Sequence, residues 1–167
     1  GVQTVPTGYC SAANNATSST ACISSVSFNT LSNSSSCNTI SPYYTDVPSS
    51  TATTSVSAGQ TYTFSVSTIS DINYSTAITS VWFDWNRNGV FEASEWYQPY
   101  TSATTGTVSV TVPSNASIGL TKMRVRSRGN GNSNGSGDAC TSFASGETED
   151  YVINVNGVQL QNPNLTY

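Results

Sequence analysis

The chain is predicted to be all-β: an antiparallel β-sandwich of jelly-roll type, stabilised by disulfides. Three observations carry that prediction. Short runs alternating apolar and polar residues recur between turn residues, and no segment keeps a helical period. Nine Tyr, five Phe, three Trp and many Val supply β-forming core material. Four cysteines, with no histidine and no Cys-x-x-Cys pair, point to disulfides rather than to zinc. A length of 167 residues suits one domain with a real core.

The elements follow from the alternation. Strands are predicted over Cys22–Leu31, Thr61–Thr68, Ile78–Trp85, Gly106–Val112, Thr121–Arg128 and Glu149–Val155, with shorter pieces at Tyr43–Val47 and Glu95–Gln98. Ser57-Ala58-Gly59-Gln60 and Pro113-Ser114-Asn115 read as turns, and the Gly/Asn/Ser-rich stretch Gly129–Asp138 reads as a mobile surface loop. Residues 9–156 make the sandwich. Residues 1–8 and 157–167 fall outside the pattern as terminal tails.

Charge narrows the function classes. Only 8% of residues are charged and the net charge is −4, which disfavours nucleic acid as a partner. No apolar run is long enough to cross a bilayer, so no direct membrane insertion is expected. Three cysteine pairings are open. The favoured one joins Cys22 to Cys37 as a local staple and Cys10 to Cys140 across the domain. The second bridge closes a loop of about 130 residues, worth roughly 4–5 kcal/mol in the chain-entropy model.

Asp84 to Glu95 reads Asp-Trp-Asn-Arg-Asn-Gly-Val-Phe-Glu-Ala-Ser-Glu. Asp84, Asn86 and Asn88 set oxygen ligands at alternate positions, Gly89 permits the sharp turn, and Val90 offers a carbonyl. Glu92 stands where a water-mediated ligand sits, and Glu95 closes the loop. This is the ligand register of a twelve-residue calcium loop, here following a strand rather than a helix. An ordinary Asn-Gly hairpin turn is the alternative.

Other residues carry weaker signals. Lys122, Arg124, Arg126 and Arg128 share one face of a strand, opposite Met123 and Val125. They are read as pairing with the acidic run Glu147, Glu149 and Asp150, the alternative being a stripe for an anionic ligand. Those acids with Asp46 are a candidate second ion site or ion-pair site. Trp85, Trp96, Tyr97 and Tyr100, with Trp82, are a candidate aromatic platform for a glycan. Without histidine, Ser-His-Asp and Cys-His catalysis are unavailable. A glycosidase-type carboxylate pair is formally open, but the calcium loop and the acidic run account for most of the acids. A non-enzymatic role is expected.

Gly146-Glu147-Thr148-Glu149-Asp150-Tyr151 resembles the Gly-Glu-Val-Glu-Asp-Tyr signature of the GEVED domain, with Thr148 in place of Val. Tyr9-Cys10, Tyr43-Tyr44-Thr45-Asp46, Gly59-Gln60-Thr61-Tyr62, Val81–Asn86, Met123–Arg126 and Cys140 fit in order, so the resemblance covers roughly Tyr9–Val155. It implies a β-sandwich module of secreted and cell-surface bacterial proteins.

Two functional expectations result. The first is an extracellular, calcium-binding structural or adhesive module at the bacterial cell surface. It would assemble with copies of itself into a fibre or surface layer through terminal strands bearing Val2, Val5, Val158, Leu160 and Leu165. The alternative is an accessory domain that brings a secreted hydrolase to a surface glycan.

Overall fold

A computed structural model describes residues 3–12 and 20–160. Its strands are β1 (Ile23–Phe28), β2 (Leu31–Ser34), β3 (Tyr44–Val47), β4 (Ser55–Ser57) and β5 (Thr61–Thr68) in the first half. β6 (Ala77–Phe83), β7 (Trp96–Ala103), β8 (Thr105–Thr111), β9 (Gly119–Gly129) and β10 (Glu147–Asn156) follow. One turn of 3-10 helix, Ala93–Glu95, precedes β7.

The strands form two sheets, as the sandwich prediction requires. The smaller has the order β2-β1-β5-β8. The larger has the order β3-β10-β9-β6-β7, with β4 also paired to β10. The predicted Cys22–Leu31 strand is in fact a hairpin that turns at Asn29 and Thr30.

The antiparallel expectation needs one correction. β3 and β4 both run parallel to β10, against Thr148–Tyr151 and Asn154–Asn156 respectively. Alternation reports which face a residue takes but not strand direction, and the three-residue β4 is too short to announce itself.

The two sheets meet through their inward positions. Val26, Phe28, Phe64 and Val66 come from the smaller sheet, and Val81, Phe83, Met123, Val125 and Ile153 from the larger; all are buried. Phe83 lies at the centre, stacked on Trp85 with ring centroids 4.7 Å apart and edge-on to Phe64 and Tyr97. Burying each such side chain is worth about 1.5–3 kcal/mol.

The outward faces differ. On the smaller sheet every outward position is serine or threonine. Strand register aligns Ser34, Ser25, Ser67 and Thr105 in one row across the strands. Ser32, Ser27, Ser65 and Thr107 form the next, and β5 and β8 extend the pattern with Thr63–Ser109 and Thr61–Thr111.

On the larger sheet the outward face carries the basic stripe and is covered. Gly129–Asp138, expected to be mobile, packs onto it. Asn134 is 1% exposed and donates from Nδ2 to the Arg126 carbonyl, while Ser136 accepts the Trp82 indole N–H at its carbonyl. Lacking apolar side chains, the loop packs through its backbone carbonyls, which buried donors require.

Both favoured disulfides are present, Cys10–Cys140 and Cys22–Cys37, and no cysteine of the chain is free.

Candidate metal-binding loop and the charged layer

Asp84 lies just beyond β6, fully buried, and its carboxylate organises the turn that follows. The Asn88 and Gly89 amides donate to Asp84 Oδ1 and Oδ2 at 3.1 and 2.9 Å, and the Tyr9 hydroxyl donates to Oδ2 at 2.6 Å. The Asn88 amide also donates to Asn86 Oδ1, and the Val90 amide to Asn88 Oδ1. Gly89 holds φ at +79°, and a Cβ there would stand 2.5 Å from the Thr7 carbonyl oxygen. Glycine is required at this position.

Glu95 closes the loop from the 3-10 turn. Its Oε1 accepts the Trp85 amide at 2.8 Å and its Oε2 the Glu92 amide at 3.2 Å. Glu92 in turn accepts from Asn86 Nδ2 at 2.7 Å. Burial raises Glu95 most, and the Asp84 charge adds to it; amide hydrogen bonds oppose both, leaving its pKa at about 7. A cleft of about 280 Å³ opens beside Asn86, Glu92 and Glu95.

The donor set fits a hard cation. Asp84 Oδ1, Asn86 Oδ1, Asn88 Oδ1 and Glu95 Oε2 each accept a single amide and keep a second lone pair of the kind calcium takes, whereas Asp84 Oδ2 and Glu95 Oε1 already accept two donors each. Asp84 and Glu95 are buried. The ion pairs among the described residues, Lys122–Asp46 and Arg124–Asp150, include neither of them. Also among the described residues, no three His, Cys, Asp or Glu side chains group closely enough to hold a metal. An ion here would therefore depend on Asn86, Asn88 and the Val90 carbonyl as well as on Asp84, Glu92 and Glu95.

The proposed cluster of Asp46, Glu147, Glu149 and Asp150 is not one site, which is a correction. The two-residue period of β10 divides it. Asp150 faces outward, where Arg124 grips it with Nε and Nη2 at 2.8 and 2.9 Å, and Asp46 pairs with Lys122 at 2.9 Å. Glu147 and Glu149 face inward. Glu147 accepts the Ile23 amide at 3.1 Å, and Glu149 accepts from the Ser35 and Tyr151 hydroxyls. Burial, then the Glu149 charge, pushes Glu147 up to about 8.

Nor is the basic stripe open to an anionic ligand. Arg124 and Arg126 are 1% and 0% exposed. Arg124 also donates to the Ala139 and Cys10 carbonyls, tying both flanks of the long-range disulfide to β9. Aromatic rings cap the row: Arg124 lies 4.7 Å from the Phe91 centroid, and Arg126 and Arg128 lie 3.9 and 4.1 Å from that of Phe143. Phe143 had no sequence signal, because it is a lone aromatic between Ser142 and Ala144.

The aromatic platform is also corrected. Trp82, Trp85 and Tyr100 are buried. Trp96 and Tyr97 are half-buried neighbours in β7 and so point to opposite faces, with the Trp96 indole donating to Ser80. These five rings therefore share no exposed face.

At the N-terminus, residues expected to form a free tail are seated. Arg87 donates to the Thr4 carbonyl at 3.0 Å, and Thr7 packs against Gly89. Val2 and Leu165 lie outside the described residues.

These features define a disulfide-tied β-sandwich module in which an Asx-rich loop follows a central strand and a buried charged layer covers one sheet. Residues 78–154 match the model of the GEVED domain, the family whose signature residues 146–151 resemble. The match runs from β6 through β10 and takes in both the loop and the signature. No curated protein and no solved structure matches.

Two signature residues acquire physical reasons. Gly146 has φ +93°, and a Cβ there would lie 1.9 Å from the Ser127 carbonyl oxygen. Thr148, the departure from valine, accepts the Arg126 Nε–H at 2.9 Å.

Proposed function

We propose that this chain is a non-enzymatic, extracellular, calcium-stabilised structural module of a bacterial surface, built to adhere or assemble rather than to catalyse. The observation that carries the reading is the pair of buried carboxylates, Asp84 and Glu95, held in a loop whose amides already orient their oxygens. The two disulfides support an extracellular place. The remaining buried acids are engaged separately: Asp150 with arginine, and Glu147 and Glu149 with an amide and hydroxyls. They do not converge on one cleft.

Assembly through a terminal segment rests on residues continuing from β10, where Val158 is 51% exposed and Leu160 90%. Such residues can add as a strand to an exposed edge of a neighbouring copy.

Calcium binding only the native state at about 100 times its Kd adds about 2.7 kcal/mol, which for this size raises Tm by roughly 5–10 °C. Wild-type protein is expected to show that shift between chelator and millimolar calcium, and Asp84→Asn to lose it. No calcium-dependent shift in the wild type would remove the ion from the proposal. Electron microscopy of a chain lacking 157–167 tests assembly, with unchanged filaments ruling out the terminal mechanism.

A further inference from the structure

We infer that the outward face of the β2-β1-β5-β8 sheet is a contact surface for an insoluble, uncharged polysaccharide. None of the residues in these four strands is charged, although the chain carries nine acids and five bases. The face therefore complements a neutral polymer. It offers no cation to an anionic polymer and none to nucleic acid. It also lacks the aromatic and arginine anchors that form the centre of protein–protein interfaces.

What the face does present is hydroxyl in register. Each Ser or Thr hydroxyl donates and accepts, as sugar hydroxyls do. Sheet geometry spaces them about 4.8 Å apart across strands and about 6.8 Å apart along them. Some are already oriented by cross-strand hydrogen bonds, Thr61 with Thr111 at 2.8 Å and Ser67 to Thr105 at 3.0 Å. The side chains are short, so no group projects to hold a flat partner away. The opposite outer face of the sandwich is covered by the Gly129–Asp138 loop and by Cys10, whereas on this face Thr61, Thr63, Thr105, Thr107, Ser109 and Thr111 are exposed among the described residues.

Single hydroxyl contacts are weak because each replaces a contact with water. The face should therefore hold a solid that engages many hydroxyls at once, and should release a short soluble oligosaccharide. This goes beyond the calcium reading and does not depend on it.

The test is co-sedimentation of the full chain, in chelator and well below its melting temperature, with insoluble cellulose, chitin and starch granules. Crosslinked polygalacturonate serves as the anionic control. Depletion by at least one neutral polymer is expected, without competition from soluble oligosaccharides. Ser65→Lys with Thr107→Lys, which share the central row, should lower the bound fraction at least tenfold. Circular dichroism and Tm verify folding, and Thr107→Lys alone, at an exposed position, serves if the pair does not fold. Ser50→Lys, on the exposed β3–β4 connection, should bind as wild type.

Binding to no neutral polymer overturns the inference, as does equal binding to the anionic control or undiminished binding by the lysine variants. Retention on ice crystals without polysaccharide binding overturns it in favour of ordered water.

Discussion

The two sheets of this sandwich treat charge in opposite ways. The larger sheet places Lys122, Arg124, Arg126 and Arg128 on its outer face and then covers that face with loop carbonyls, aromatic rings and a disulfide. The smaller carries no charge and leaves its hydroxyls outward. The lesson is that a chain with only five cations can bury two of them, Arg124 and Arg126, inside one covered face. Buried guanidinium groups need several acceptors each, so they recruit segments that have no apolar side chains of their own. A sheet without such groups recruits nothing and stays bare.

The largest break in that comparison comes at Arg124. Arg124→Leu leaves Asp150, fully buried, without its cation, and frees the Cys10 and Ala139 carbonyls from their donor. Losing one partner of a buried pair costs about 3–5 kcal/mol. Urea unfolding should show a loss of that size in the variant. A loss below about 1 kcal/mol would show that the covered layer is not what holds the larger sheet.

That layer was only partly legible in the sequence. Alternation placed Met123 and Val125 opposite the four bases, and cysteine spacing suggested the right bridges, because both signals are local. The division of Glu147 and Glu149 from Thr148 and Asp150 was missed, because the acids were grouped by proximity in sequence and the two-residue period was not applied to the signature. The role of Gly129–Asp138 was not legible. Its Gly, Asn and Ser content describes a segment with nothing apolar to bury, and sequence does not show that its carbonyls meet guanidinium groups from a strand before it. Trp85 and Tyr100 misled for a related reason: aromatic residues near a turn look the same in sequence whether they fold inward or outward. In the calcium loop the ligand register was readable residue by residue, whereas the Tyr9 hydroxyl on Asp84, 75 positions away, was not.

A second effect should appear with pH. Burial and the Glu149 charge raise Glu147 to about 8 in the folded chain, against a usual value of 4.5. A carboxylate raised on folding stabilises fully below its unfolded pKa, and that contribution is lost as pH rises through the folded value. With chelator present throughout, stability should fall between about pH 4.5 and pH 8, by an amount on the order of a few kcal/mol. Glu147→Gln, which keeps an oxygen for the Ile23 amide, should flatten the decline. An equally steep profile in that variant would assign the titration to other groups.

The smallest effect is also the most direct comparison of the two sheets, because it deletes the same group from each. Thr148→Val removes the hydroxyl that accepts the Arg126 Nε–H in the buried layer, and restores the valine of the family signature. Removing the acceptor of a buried donor costs about 1–3 kcal/mol. Thr63→Val removes a hydroxyl from the exposed face of β5, where water replaces it and valine suits a strand, so the change should stay within about 0.5 kcal/mol. Thermal unfolding of the two variants side by side measures the difference. Equal costs would mean that the hydroxyl face is a structural layer like its opposite, and that its regular register serves the fold rather than a partner.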